Sequence, residues 1–186
     1  RNDMPTGFKD KCLRHISYFE KRLKEYEDIF YTNPLFIQRT EGVGILTKED
    51  AIGLGVTGSV LRASGVPYDI RKAEPYDVYN EIDFKVQYMK SGDSLARAYV
   101  PLLDMKESCH IMRQLLDKMP ESGEVRAKLQ PTPKGPPGEA YRRVESGRGA
   151  LGYYIVSDGS PKPYRVKISV GSFRNMIALP HLLVGS

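Results

Sequence analysis

Residues 145–168 read E-S-G-R-G-A-L-G-Y-Y-I-V-S-D-G-S-P-K-P-Y-R-V-K-I, and they contain two strand patterns with a turn between them. Apolar and polar side chains alternate over residues 164–170, which is the period of a half-buried strand. Residues 153–157 are rich in the tyrosine, isoleucine and valine that favour strands. Asp158 to Pro161 predicts a turn between them, because glycine accepts a positive φ and aspartate can bond its own backbone. The stretch therefore predicts a β-hairpin.

Arg148 lies just before this hairpin, between Gly147 and Gly149. With no side chain on either neighbour, its guanidinium could be offered to an anion or to a polar cavity. The alternative, which the spacing alone favours, is an ordinary surface-loop arginine ahead of a strand. Arg148 is therefore a candidate cavity-lining residue, and an exposed loop arginine without a functional role is the alternative.

A long amphipathic helix is predicted over residues 8–30, where apolar residues recur at steps of four and three. Thr6 is the expected N-cap, and Asn33 followed by Pro34 is expected to end the helix. The predicted apolar stripe consists of Phe8, Cys12, Ile16, Phe19, Leu23, Tyr26 and Phe30.

A second long helix is predicted over residues 93–119, capped by Asp93 or Ser94 and bent at Pro101. Its methionines are expected to fill the core rather than to form a cofactor site. The predicted stripe consists of Leu95, Tyr99, Leu102, Met105, Cys109, Met112, Leu116 and Met119.

The segment between the two helices is rich in glycine and tyrosine. Thr47 with Asp50 predicts a capping box that opens a short helix over residues 48–52. Residues 53–58 read G-x-G-x-x-G, but a nucleotide site needs a strand before this motif and a long helix after it. Here a short helix precedes it and Pro67 follows, so we reject that site. Residues 82–88 alternate as a strand.

Charged residues are concentrated among small and aromatic residues over positions 62–76. The structural interpretation is a loop held by arginine–carboxylate pairs. The functional interpretation is one wall of a buried polar cavity, for which Arg62, Asp69 and Arg71 are candidates together with Arg148. Lys72 and Glu74 complete the set of charged residues.

These elements predict an α+β protein in which two long helices pack with a small antiparallel sheet. We expect one domain with a helical region and cavity loops at 1–119, a proline- and glycine-rich connector at 120–138, and the hairpin with a short helix at 139–186. That last helix is expected from Ser172, with Pro180 interrupting it. The chain begins with Arg1 and ends after apolar residues, so we interpret it as a piece of a longer polypeptide, truncated at both ends.

Charge, cysteine content and hydropathy limit the kinds of partner and site that the sequence predicts. The net charge of +5 lies entirely in residues 120–186, which hold 10 Lys+Arg against 5 Asp+Glu. A solvated face is the favoured interpretation, although an acidic partner, nucleic acid or a lipid surface stays possible. Cys12 and Cys109 are isolated, which predicts neither a disulfide framework nor a metal site. No apolar run approaches the roughly 20 residues that span a bilayer. By themselves the residues predict no reaction.

Five motifs occur in a characteristic order, and they cover nearly the whole chain. Together they resemble the 49 kDa family, the large quinone-site subunit of respiratory complex I, which is related to the large subunit of nickel–iron hydrogenases. The motifs are N-P-L-F-I-Q-R-T-E-G-V-G-I (33–45), G-V-T-G-S-V-L-R-A-S-G-V-P-Y-D-I-R-K-A-E-P-Y (55–76), G-D-S-L-A-R (92–97), E-S-x-R-G-x-L-G-Y-Y-I-V-S-D-G (145–159) and L-P-H-L-L-V-G (179–185).

The resemblance implies a hydrogenase-large-subunit-like fold and a role in a proton-translocating NADH:quinone oxidoreductase, or in the archaeal version with a deazaflavin donor. It implies that this chain binds no metal or cluster. With a neighbouring subunit that carries a [4Fe-4S] cluster, it would form the chamber where quinone is reduced. Arg148 matches the arginine beside the metal centre of the hydrogenases, and only its place at that cavity is carried over.

The resemblance also implies peripheral-arm and membrane-arm partner subunits, at the cytoplasmic face of the cell membrane. The family's residues that hold the quinone head precede Arg1, so no catalytic residue is expected in this segment, and the segment alone should be inactive.

Two alternatives stay open. One is the large subunit of a membrane-bound nickel–iron hydrogenase, whose cysteine pairs would lie outside this segment. The other is a basic binding module, which is disfavoured because the basic residues are not clustered with aromatic ones, so no nucleic-acid partner is expected.

Overall fold

The computed structural model describes residues 4–120, 123 and 134–184. Short helices connect two long ones, and a three-stranded sheet follows, which confirms the predicted α+β class. The elements are α1 Phe8–Tyr26 with a π-helical turn Glu27–Tyr31, α2 Pro34–Thr40, α3 Lys48–Gly53, α4 Gly58–Ala63, α5 Ile70–Ala73, a 3-10 turn Tyr79–Glu81, α6 Ser94–Lys118, β1 Gly138–Ser146, β2 Gly149–Ser157, β3 Arg165–Ser169, α7 Gly171–Asn175, a 3-10 turn Met176–Ala178 and α8 Leu179–Leu183.

The sheet is antiparallel in the order β1-β2-β3. Tyr153 of β2 lies opposite Ile168 of β3, as the predicted hairpin requires. Ser146 lies opposite Gly149, so residues 147–148 form a two-residue turn between β1 and β2. Arg148 is therefore at the tip of a second hairpin rather than in a loop ahead of the first.

Helices α1 and α6 pack against each other along their length. One detail of the α1 prediction is wrong. Gly7 rather than Thr6 precedes the helix, in the left-handed region and without a side-chain cap. Asn33 does not only end the helical segment: its side chain accepts a hydrogen bond from the Leu35 N–H and starts α2, with Pro34 in the first turn. The core between α1 and α6 contains Ile16, Leu23, Leu102, Cys109 and Leu116.

Helix α6 begins as predicted, because Asp93 Oδ1 accepts a hydrogen bond from the Ala96 N–H at 2.8 Å. It runs through Pro101 without a break. The expectation that its methionines fill the core is wrong for Met105 and Met112, which are 36% and 40% exposed. The helix is instead buried on more than one side, and its other faces contact Ala63 and the segment that contains Ile82 and Phe84.

The strand predicted over residues 82–88 is wrong. Ile82 and Phe84 are buried, which explains the alternation, but the backbone does not pair with a strand. The Asp83 N–H donates to Gln114 Oε1, and the Lys85 N–H donates to Glu107 Oε1, each at 3.0 Å. Side chains of α6 thus supply the partners that a neighbouring strand would supply.

Thr47 caps α3 as predicted, since its Oγ1 accepts from the Asp50 N–H at 3.1 Å. The glycine motif that follows connects α3 to the six-residue α4, so it lacks both the preceding strand and the long helix of a nucleotide site. The C-terminal helix is a series of short helices, and Pro180 lies in the first turn of α8 rather than interrupting a helix. Most of the expected connector lies outside the described residues, and the division at 120–138 stays a prediction.

Within the described ranges, no helix combines the length and the apolarity that crossing a membrane requires.

Candidate functional site

Arg62 is the centre of a buried cluster of charges. Its side chain, on α4, is 4% exposed. Nη2 donates to Asp104 Oδ2 at 2.6 Å, and Nη1 donates to Glu145 Oε1 at 3.0 Å. Asp69 Oδ2 lies 3.9 Å from Nη1. One guanidinium therefore connects α4, α6, β1 and the residue that precedes α5.

Asp69 and Arg71 extend this cluster. Asp69 caps α5, because its Oδ1 accepts from the Arg71 N–H at 2.9 Å. The Arg71 side chain returns to the same carboxylate, with Nε bonded to Oδ1 at 3.0 Å and Nη2 to Oδ2 at 2.7 Å. The Arg71 guanidinium also lies 4.9 Å from the centre of the Phe84 ring. This bidentate, stacked geometry requires arginine rather than lysine.

Glu145 anchors the sheet to the helices. Beside its bond to Arg62, its Oε2 accepts from the Ile70 N–H at 3.3 Å. The Glu145 N–H donates to the Tyr76 hydroxyl at 3.2 Å. Since Glu145 is near the end of β1, these bonds fix the position of the turn that follows it.

The cluster has three carboxylates for two guanidinium groups. Burial would raise the pKa of Asp69, but the hydrogen bonds and charge of Arg71 outweigh it and lower that pKa overall. Burial raises the pKa of Asp104, and Arg62 only partly offsets this. Burial and the charge of Asp69 raise the pKa of Glu145. The pKa values of the three carboxyl groups therefore differ in direction, and Asp104 and Glu145 take up a proton more readily than Asp69.

The turn that carries Arg148 is held by close backbone packing. Gly149 has a φ of 109°, and a Cβ built there would lie 2.7 Å from Thr57 Cγ2. A Cβ on Gly58 would lie 2.3 Å from the Gly149 Cα. A Cβ on Gly147 would meet nothing within 4 Å. Gly149 therefore allows the backbone after Arg148 to pack against the backbone of Thr57 and Gly58. The sequence instead predicts that the glycines give the Arg148 guanidinium access to an anion or a cavity.

Asn175 of α7 stabilises the contact between Gly149 and Thr57 by hydrogen bonds. Its Oδ1 accepts from the Thr57 N–H at 2.8 Å, and its Nδ2 donates to the Thr57 carbonyl at 3.1 Å and to the Arg148 carbonyl at 3.4 Å. The Thr57 hydroxyl accepts from the Ala150 N–H at 3.1 Å. The backbone of Arg148 is thus fixed by its neighbours from α4 and α7.

The structure brings together three of the four predicted cavity residues. Arg62, Asp69 and Arg71 form one cluster, which confirms the interpretation of a loop held by arginine–carboxylate pairs. Arg148 is exposed, and among the described residues its side chain makes no hydrogen bond or ion pair. It does not join the cluster. Whether any of the four lines a cavity stays a prediction.

Sequence reasoning missed Asp104, Glu145, Thr57 and Asn175. Asp104 lies beside the predicted apolar stripe of α6, and a carboxylate there is a signal for a buried partner. Glu145 and Asn175 carry no local signal, because their partners lie 83 and 118 positions away.

Metal-ligating residues are not grouped in the part of the chain that the structure describes, where no three or more His, Cys, Asp and Glu side chains could hold an ion. Cys12 and Cys109 are both free thiols.

Comparisons with known proteins agree over the whole chain. A family model described as "Respiratory-chain NADH dehydrogenase, 49 Kd subunit" matches residues 1–134 and 128–186. A subunit of the F(420)H(2) dehydrogenase of Methanosarcina mazei is 44% identical over 191 residues, which are 100% of this chain and 51% of that protein. A subunit of the NADH-quinone oxidoreductase of Desulforamulus reducens is 44% identical over 183 residues, which are 98% of this chain and 50% of that protein.

A solved structure is similar as well. A chain of the membrane-bound sulfane sulfur reductase, an archaeal respiratory membrane complex, matches with a TM-score of 0.92 and 39% identity. The match covers 100% of this chain and 52% of that chain. The present chain therefore spans about half the length of the curated relatives it matches.

Proposed function

The chain belongs to the family of the 49 kDa subunit of respiratory-chain NADH dehydrogenase, and from this premise we propose that it is part of a quinone-reducing subunit of a complex I-like oxidoreductase. The observation that carries this proposal is the similarity of the entire chain, at 44% identity, to subunits of an NADH-quinone oxidoreductase and of an F(420)H(2) dehydrogenase. The electron donor is NADH or a reduced deazaflavin, as in those two relatives.

Within such a complex, this chain supplies structure and charge rather than a redox group. The proposal includes no metal or cluster on this chain, and it places a [4Fe-4S] cluster on a neighbouring iron–sulfur subunit. Such a cluster would supply single electrons. The residues of this chain position groups around the acceptor, which takes two electrons and two protons to become the quinol.

Arg148 is the residue that we propose to face the quinone chamber. Its backbone is held by Gly149, Gly58 and Asn175, whereas its guanidinium is exposed and has no partner among the described residues. A fixed cation that is not neutralised by its own chain suits a site where negative charge develops on a quinone oxygen, because it needs little rearrangement during the reaction.

The Arg62 cluster holds the strand that leads into the turn at residues 147–148. Glu145 connects Arg62 to β1 only three residues before Arg148. Burial raises the pKa values of the Asp104 and Glu145 carboxyl groups, so these groups take up a proton more readily than exposed carboxylates do. We propose that Arg62, Asp69 and Arg71 position the chamber wall and keep its charge balanced.

The relatives are subunits, and the similar structure is a respiratory membrane complex. We therefore propose peripheral attachment at the cytoplasmic face of the membrane, with an iron–sulfur subunit, other peripheral-arm subunits and membrane-arm subunits as partners.

A photoreactive quinone analogue tests the proposal in the complete complex that contains the full-length polypeptide. The analogue is illuminated with and without an excess of ordinary quinone, and the labelled peptides are sequenced. We expect label in the peptide that contains Arg148, and competition by the excess quinone. Label confined to other subunits, or label that excess quinone does not displace, would exclude the quinone-chamber role.

A further inference from the structure

Strand β3 is an open edge of the sheet. Over the ranges that the structure describes, the strand order places β3 beside β2 alone. Among the described residues, the backbone of residues 165–169 makes no other main-chain hydrogen bond. An edge strand presents unpaired N–H and C=O groups in a row, which can pair with an added strand.

One face of this edge is basic. A groove of about 1080 Å³ is lined by Arg165 and Lys167 of β3 and by Arg174 of α7, with Tyr141 and Tyr154 on its floor. No carboxylate is among the described residues that line it. Within the part of the chain that the structure describes, none of the three cations makes an ion pair. The groove is therefore positive overall, and the carboxylate of Glu139 lies beside it, where it accepts a hydrogen bond from the Tyr154 hydroxyl.

The opposite face of the same edge is apolar. Val166 and Ile168 are 45% and 53% exposed, and they lie opposite Ile155 and Tyr153, which are 39% and 41% exposed. Side chains alternate between faces along a strand, so β3 presents basic groups to one side and apolar groups to the other. A folded surface seldom leaves such a contiguous apolar patch uncovered unless it binds something.

We propose that β3 binds an extended segment of a partner subunit, in which acidic and apolar residues alternate, as a fourth strand of the sheet. Main-chain hydrogen bonds to β3 would supply the pairing. The acidic side chains would meet Arg165 and Lys167, and the apolar ones would meet Val166 and Ile168. Because side chains of β3 alternate between basic and apolar, the added strand must alternate between acidic and apolar residues. The proposed partner segment is therefore defined by this alternation as well as by its charge.

Competing explanations predict other results. Charged residues on an edge strand can also serve to prevent pairing, in which case no segment binds. Anionic lipid would satisfy the cations without any need for a strand. The basic groove and the open backbone edge of β3 are independent of the proposed quinone chemistry.

Site-specific cross-linking in the complete complex provides the first test. A photoreactive phenylalanine analogue replaces Lys167, and the exposed Lys48 of α3 is replaced as the control position. We expect position 167 to cross-link to another subunit, within a segment where acidic and apolar residues alternate, and position 48 not to reach that segment. Cross-links to lipid, to this same polypeptide or to a segment without the alternation would overturn the proposal, as would no cross-link.

Binding of synthetic peptides to the purified full-length subunit provides the second test. The probes are a hexapeptide of alternating glutamate and valine and its lysine–valine counterpart. We expect the glutamate peptide to bind more tightly, and added salt to weaken it. Arg165→Glu with Lys167→Glu should weaken binding about tenfold or more, whereas Lys48→Glu with Lys21→Glu should not. Equal binding of the two peptides, or equal effects of the two double variants, would contradict the proposal.

Discussion

Arg62 and Glu145, 83 positions apart in the chain, are joined by a hydrogen bond of 3.0 Å between Nη1 and Oε1 in the buried interior. This bond connects the helical half of the chain to the strand that leads into the Arg148 turn. Because both groups are almost fully buried, each needs the other to remain charged at low cost.

Removing the Arg62 charge should therefore be costly. Arg62→Met leaves two buried carboxylates and the partly exposed Asp104 with Arg71 as the remaining cation of the described cluster, and breaking a buried ion pair from one side costs about 3–5 kcal/mol. We expect the free energy of unfolding of the full-length protein, measured by urea denaturation, to fall by about that amount. Arg113→Met, which breaks an exposed pair with Glu20, is the matched control and should have a much smaller effect. Equal losses of unfolding free energy for the two variants would show that the buried Arg62 cluster contributes no more to stability than an exposed ion pair.

The two glycines beside Arg148 should respond differently to substitution. Gly149→Ala places a methyl group against Thr57 at a positive φ, and overpacking of this kind costs about 1–3 kcal/mol. Gly147→Ala meets open space, and a surface change of this kind stays within about 0.5 kcal/mol. Thermal unfolding of both variants measures the difference. A Gly147 variant as unstable as the Gly149 variant would contradict the close packing of Gly149 against Thr57.

Glu145 should make stability depend on pH in acid. Burial and the charge of Asp69 raise its pKa in the folded state above the ordinary value of 4.5. The folded protein then binds more protons than the unfolded chain, so this residue's contribution to stability falls as the pH rises from 4.5 through the folded pKa. Glu145→Gln removes this dependence. We expect the unfolding free energy of the wild type to decline relative to that of the variant over this interval. Parallel curves in urea denaturation would refute the raised pKa.

Tyr99 should produce a similar effect in alkali. Its hydroxyl donates to Glu27 Oε1 at 2.5 Å, and this bond raises the pKa of Tyr99 from 10.0 to about 12. Between these values the folded state keeps a proton that the unfolded chain loses, so stability falls as the pH rises from 10 to 12. The advantage of the wild type over Tyr99→Phe should shrink over this range. Tyr164→Phe, at a ring that is 76% exposed, is the control for tyrosine ionisation in general.

Periodicity predicted the long helices and the hairpin, because apolar side chains recur in these elements with the period of a helix or of a strand, although several of them are exposed, among them Phe30 and Ile168. It failed for residues 82–88, where burial alternates but α6 side chains supply the backbone partners. The pairing of Asp69 with Arg71 was predictable because only two positions separate them. The bonds from Arg62 to Asp104 and Glu145 were not, since the sequence does not show which residues 42 and 83 positions apart come into contact. The role of Gly149 was missed for the same reason, because Thr57 and Gly58 come from a distant part of the chain.

The role of Arg148 is measured by quinone reduction in complete complexes that carry Arg148→Ala, compared with Arg142→Ala as an exposed control on β1. Electron transfer to an artificial acceptor ahead of the quinone shows in the same preparation that assembly and the upstream cofactors are intact. We predict that Arg148→Ala lowers kcat/KM for quinone by about 100-fold, as the loss of one preorganised charge-stabilising donor does, and that Arg142→Ala leaves it unchanged. Quinone kinetics of the Arg148 variant that match those of the Arg142 variant would contradict the claim that this turn faces the quinone chamber.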